Sequence, residues 1–200
     1  MTAKLIRFRR DAPTPAALGA AAPAGATRLT LATPLDLPGL PPAPFAAVEV
    51  VWLDGIGGPG PGPGGVVEVL VEEEVRRGGD ALAARWADGG ARLKVMQAGR
   101  RNPALSRAAF RDRWRSEAGR LGGEAIPDDL RGLAYVQDHP VDEDPPVDAV
   151  NEVWFDDPDA LARRVAWFAA RPVPTDLMAP ERCWTLCLRE VVVLDRTGVS

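Results

Sequence analysis

RLKVMQAGRR at 92–101, NPALSRAAFRDRW at 102–114, GLAYVQDH at 132–139 and VDAVNEVWFD at 147–156 lie within one stretch, Ala91 to Asp157, that decides the fold. The first segment reads as a strand and NPAL as a turn. Ser106 is suited to cap a helix, because its hydroxyl can accept from an unpaired N–H of the first turn. Pro103 lies upstream, where it cannot break that helix. Leu105 and Phe110 stand at the two positions of a hydrophobic staple. Phe110, Trp114, Ala118 and Leu121 then recur at helical spacing, with Arg107, Arg111, Arg115 and Glu117 elsewhere around the helix.

The segments at 132–139 and 147–156 alternate as strands do. In the first, Tyr135, Gln137 and His139 share one face, and Ala134, Val136 and Asp138 the other. In the second, Glu152 and Trp154 share a face that is not simply polar, so both faces are expected to be covered. Asp157 and Pro158 then suit the start of a second helix, with Leu161, Val165 and Phe168 as its apolar stripe. Cys183–Leu194 reads as a closing strand. The order βαββαβ predicts an α+β, ferredoxin-like unit.

Outward from this stretch, the N-terminal part reads as a divergent copy. KLIRFRR at 4–10 is similar to KVMQAGRR at 94–101, both ending in paired arginines. AVEVVWLDG at 47–55 aligns with AVNEVWFDD at 149–157, setting Trp52 on Trp154 and Asp54 on Asp156, each after a proline-rich connector. The expected organisation is a degenerate repeat over 1–90 and a second over 91–200. Residues 11–26, rich in Ala and Pro, allow at most a short helix. Val66–Arg77 reads as a strand and Asp80–Asp88 as a short helix.

Composition excludes several classes. The chain has 24 Lys and Arg against 28 Asp and Glu, a formal charge of −4, which disfavours nucleic acid as a partner. No apolar run is long enough to span a bilayer, and no signal-peptide pattern follows the N-terminal basic residues; a cytoplasmic protein is expected. GIGGPG at 55–60 matches a dinucleotide-binding glycine pattern, but Pro61 and Pro63 prevent the helix that such a site needs. Cys183 and Cys187 fall on one face of a strand and read as free thiols. With a single histidine in the chain, no four-ligand zinc set exists. No cofactor is expected: neither metal, haem nor flavin.

The pieces RRNPALS at 100–106 with Phe110 and Trp114, YVQDH at 135–139 and DAVNEVWF at 148–155 resemble the EthD-like family. The resemblance covers residues 92–194 well, and residues 1–90 as a degenerate second copy. It implies ferredoxin-like units whose sheets face each other as a dimeric α/β-barrel, here within one chain, around an apolar cavity between the sheets. One departure stands out: Ala118-Gly119-Arg120-Leu121 replaces the family's His-Gly-Pro-Leu, so the helix histidine is absent. The function implied is a cofactor-independent lyase or cyclase acting on a small aromatic or polyketide-like molecule by dehydration, decarboxylation or cyclisation. The alternative is a non-catalytic ligand-binding or accessory protein of an oxidative degradation pathway. In the enzyme reading His139 is the acid/base and Glu152 a second carboxyl raised in pKa by burial. Tyr135, Gln137, Trp154 and Trp114 line the substrate site, and Arg100 anchors a charge. A small molecule is the expected partner, and the tandem chain can itself form a homodimer.

Overall fold

The computed structural model describes residues 3–37, 40, 42–54, 66–88, 92–117, 119–121, 123–172 and 174–197. The glycine pattern at 55–60 and Ala118 lie outside the described residues. The chain order is β1 (Ala3–Arg9), α1 (Pro15–Ala20), β2 (Ala26–Pro34), β3 (Ala47–Leu53), β4 (Val66–Arg77), α2 (Gly79–Ala87), β5 (Arg92–Arg101), α3 (Arg107–Ser116), the two-residue strands β6 (Arg120–Leu121) and β7 (Glu124–Ala125), β8 (Ala134–Pro140), β9 (Ala149–Phe155), α4 (Pro158–Ala169) and β10 (Met178–Asp195).

Eight of the strands close into one antiparallel barrel, in the order β1-β3-β2-β10-β5-β9-β8-β4. This corrects the expected fold. The molecule is a closed β-barrel with a few short helices, not a set of ferredoxin-like βαββαβ repeats in a dimeric α/β-barrel. The physical reason lies in helix length and in two long strands. Residues 11–26 yield only the six-residue α1, and α3 stops at Ser116, where 120–125 turns into a small hairpin. Meanwhile β4 pairs with β1 through Val66–Glu72 and with β8 through Val71–Arg77. Strand β10 likewise pairs with β5 through Cys183–Glu190 and with β2 through Leu188–Asp195. Each long strand thus serves two neighbours and seals one seam. Irregularities at Val75/Arg77 and Val192/Leu194 give these strands the extra bend that closure requires.

Local signals hold where they rest on capping chemistry. Ser106 accepts from the Ala109 N–H at 3.2 Å. Asp157 accepts from the N–H groups of Asp159 and Ala160, with Pro158 in the first turn. The barrel interior is packed along its axis. Phe8, Phe45 and Trp184 form an aromatic cluster, followed by Ile6, Val48, Val50, Val69, Met96, Val136 and Leu186. Toward the other end, α2 inserts Trp86 between Trp52 and Trp154, with ring centroids 5.1 and 6.0 Å away. Burying each such side chain contributes roughly 1.5–3 kcal/mol. Outside the barrel, Leu18 of α1 packs on Leu5, Leu29, Leu31, Val51 and Leu53. On the other half, α4 packs Leu161 and Val165 on Leu93, Val95, Val153 and Phe155, and α3 packs Phe110 against Ala149, Leu177 and Met178.

Candidate functional site

Two polar constellations stand out, one inside the barrel and one outside. Strand alternation turns Lys4 and Lys94 inward, in phase with Ile6 and with Met96, and both are fully buried. Lys4 Nζ donates to Glu73 at 3.0 Å, to Asp138 at 3.0 Å and to Glu152. Lys94 Nζ donates to the other oxygen of Glu152 at 2.6 Å and to Glu190 at 2.5 Å. Trp52 Nε1 donates to Glu73 at 3.0 Å, and Trp154 Nε1 and Trp86 Nε1 to Glu190 at 3.1 and 3.2 Å. The Thr30 hydroxyl donates to Glu190 as well.

Burial alone would raise the Glu152 carboxyl, but Lys4 and Lys94 outweigh it and hold it at about 2. Glu152 is therefore an ionised bridge between two ammonium groups, not the proton donor expected of a carboxyl raised by burial. Burial pulls both lysines down, and their carboxylate neighbours overcome it, leaving each above its ordinary value. Asp138 goes the other way. Burial, then the charges of Glu152 and Glu73, outweigh Lys4 and push it well above the carboxylate range. This network is closely packed, with Glu73 alone partly exposed, and its groups pair with one another. Its chemistry is that of a structural ion chain.

The second constellation lies on the outer face of β8, β9, β5 and β10, beneath α3 and α4. Here a cavity of about 740 Å³ opens, a size that suits a small organic molecule. Its floor carries the neutral polar side chains Gln97, Thr185, Asn151, Gln137 and Tyr135. Gln97 pairs across with Asn151 and Thr185, and Gln137 with Asn151. The Tyr135 hydroxyl donates to Asn151 Oδ1 at 3.2 Å, and Gln137 Nε2 to the Trp114 carbonyl at 2.9 Å. Burial pushes the Tyr135 phenol up to about 12, so at neutral pH it is a hydrogen-bond donor. Trp114, Val153, Val165, Phe168, Leu177 and Met178 supply apolar wall. Trp114 Nε1 and Gln137 Oε1 are buried without a hydrogen-bond partner among the described residues, and both residues line this cavity; Trp184 Nε1, likewise without one, belongs to the aromatic cluster inside the barrel. Buried polar atoms left this way cost about 1–3 kcal/mol each, which a ligand or water can offset.

The expected site residues divide between these places. Tyr135, Gln137 and Trp114 line the outer cavity together. Glu152 and Trp154 are fully buried members of the barrel interior. The pairing register explains the separation: Gln137 lies opposite Asn151 and Val136 opposite Glu152. It is Ala134 and Val136 that look into the barrel, not the Tyr135 face. His139 is on the outer face, outside the cavity, with Nε2 3.0 Å from Glu74. Burial lowers its imidazole pKa and Arg115 adds to that, against Glu74. Arg100 is held by Asp148, Asp144 and the Pro145 carbonyl, away from the cavity. Burial raises both thiols, Cys187 to about 11, so neither supplies a thiolate at neutral pH. Sequence reasoning missed Lys4, Lys94, Glu73 and Glu190. Their signal was present in the alternation, since each sits in phase with the inward apolar residues of its own strand.

No known family model matches the chain, and no curated protein matches its sequence. Among the described residues no group of three or more His, Cys, Asp or Glu is arranged to hold a metal ion, and no helix is long and apolar enough to cross a membrane.

Proposed function

We propose that the protein binds a small, largely apolar and aromatic molecule in the cavity beneath α3 and α4, as a ligand-binding or accessory protein. The observation that carries this reading is the pair of partnerless buried atoms of Trp114 and Gln137 on residues lining one roomy apolar cavity. A site with apolar walls and a few convergent polar groups is the usual form of a small-molecule pocket. Acid/base turnover by His139 and Glu152 is the weaker reading. Neither residue lines the cavity, and they stand on opposite faces of the sheet. The resemblance to EthD-like proteins supports a small aromatic ligand, and the reading does not depend on it.

The test is isothermal titration with neutral aromatic probes, such as 2-naphthol, on the wild type, Asn151→Phe and His139→Ala. Saturable binding by the wild type is expected, weakened at least tenfold by Asn151→Phe, whose ring fills the floor. His139→Ala should change affinity by less than about twofold. Absence of saturable binding, or binding untouched by Asn151→Phe, overturns the proposal.

A further inference from the structure

One side of the same cavity carries a concentration of positive charge that the neutral floor does not need. Arg164 on α4 is 6% exposed. It donates to the Leu130 carbonyl at 2.8 Å and lies over the Phe168 ring at 4.5 Å. Arg77, at the end of β4, donates to the Gly132 carbonyl at 2.6 Å and to that of Arg131. Neither guanidinium has a carboxylate within ion-pair distance among the described residues, whereas Arg171 pairs with Glu124 and Arg131 with Asp128. Arg77 and Arg164 thus converge on the segment 130–132, where Arg131 is held by Asp128. Arg77 and Arg164, together with Tyr135, line the cavity.

Arg164 is buried and Arg77 partly so, and burying a cation without a counter-charge is costly. Three backbone carbonyls supply part of the compensation, but carbonyl dipoles do not cancel two full charges. A planar guanidinium presents five donors in a fork matched to a carboxylate, and each of these two uses only one or two on the protein. The Tyr135 ring borders the same place, its one O–H already given to Asn151 Oδ1 at 3.2 Å. The apolar walls of Val153, Val165 and Phe168 lead toward this end.

We propose that Arg77 and Arg164 form an anion subsite beside Tyr135, so that the cavity takes an aromatic carboxylate, its ring against the apolar wall and its carboxylate on the two arginines. This rests on the small-molecule reading above and adds the charge of the ligand to it. The site then discriminates by charge as well as by shape. A neutral amide of the same outline leaves the two cations uncompensated and binds less well.

The experiment uses matched pairs, aryl carboxylates of one to three fused rings and their primary amides, titrated calorimetrically into the full chain at pH 7. The acid should bind at least tenfold more tightly than its amide in the best-fitting pair, and added salt should narrow that gap. In Arg164→Gln and in Arg77→Gln the acid should weaken at least fivefold while the amide stays within twofold. Equal binding of acid and amide by the wild type overturns the subsite and leaves the small-molecule reading intact. Equal weakening of both probes in both variants also overturns it, since the arginines would then only brace 130–132. Binding of neither probe overturns both. The wild-type comparison requires no variant to fold.

Discussion

The two halves of the barrel use the same strand pairings for different ends. Arg7 on β1 lies opposite Glu49 and Glu68, as Gln97 on β5 lies opposite Asn151 and Thr185. In the first half these outward positions form ion pairs, Arg7 with Glu49 at 2.8 Å and with Glu68 at 2.6 Å. In the second half they are uncharged and floor a cavity under α3 and α4. The inward positions differ too. Lys4 faces Trp52 and Lys94 faces Trp154, but Val50, which lies opposite Ile6, has as its counterpart Glu152, opposite Met96. One carboxylate added to the second half therefore serves the lysines of both. In the first half charge pairs close the outward positions around Arg7; in the second, uncharged polar groups stay in the floor of a cavity beneath α3 and α4.

The largest effect is expected from removing the shared carboxylate. Glu152→Gln leaves two buried ammonium groups short of a counter-charge and should cost about 3–5 kcal/mol in chemical denaturation. A loss below about 1 kcal/mol would mean that the halves do not depend on it. The pH dependence has a definite sign. The Glu152 pKa is depressed to about 2 in the folded state against an ordinary value near 4.3. Its contribution is therefore complete above about pH 4.3 and lost as the pH falls toward 2. The low-pH slope of stability should flatten in the variant.

Two glycines sharpen the comparison at the strand entries. Gly25 and Gly132 precede β2 and β8 with φ of 81° and 72°. A Cβ at Gly25 would meet nothing within 4 Å, but at Gly132 it would stand 2.5 Å from the Trp154 carbonyl oxygen. Gly132→Ala should cost about 2–3 kcal/mol by thermal melting, and Gly25→Ala about 1. Equal costs would place the strain in φ alone.

Installing the second-half residues in the first half, as Arg7→Gln, Glu49→Asn and Glu68→Thr together, removes charge-assisted hydrogen bonds. It should cost roughly 1–2 kcal/mol. No loss would show the ion pairs to be incidental. The smallest effect belongs to Asp138→Asn. The raised pKa of Asp138 means that its stabilising share is present at low pH and is lost as the pH rises through its folded value. The substitution removes one partner of Lys4 but also the repulsion of Glu152 and Glu73, so the net cost in chemical denaturation should stay within about 1 kcal/mol.

The sequence was legible where the deciding chemistry is local. Ser106, Asp157 and Pro158 start their helices as their types require, and β5 and β4 keep the bounds that their alternation implied. It was not legible where register decides. A one-residue choice in the β8–β9 pairing moves Glu152 and Trp154 from the Tyr135 face to the opposite one, and no local signal in either strand fixes that choice. The closed barrel was hidden for a related reason. Closure depends on β4 and β10 each pairing with two strands, a property of length and bend rather than of composition. In the cavity, Tyr135, Gln137 and Trp114 were recognisable as a group. Arg77 and Arg164 were not, because they come from β4 and α4, and only the closed fold brings them together.

The long final strand has a consequence for how the chain reaches its native state. Strand β10 ends at Asp195 and pairs with β2, which begins at Ala26. During synthesis the edge of β4 stays unpaired until β8 has emerged, and the edge of β2 until β10 has. Pairings of such separation are slow to form, and open edges are where chains associate wrongly. Lys4 also waits, since two of its three carboxylates belong to β8 and β9. With Glu73 alone in reach, burying the Lys4 ammonium costs more than leaving it in water, so the residue that anchors the finished interior favours a solvated edge until Asp138 and Glu152 arrive.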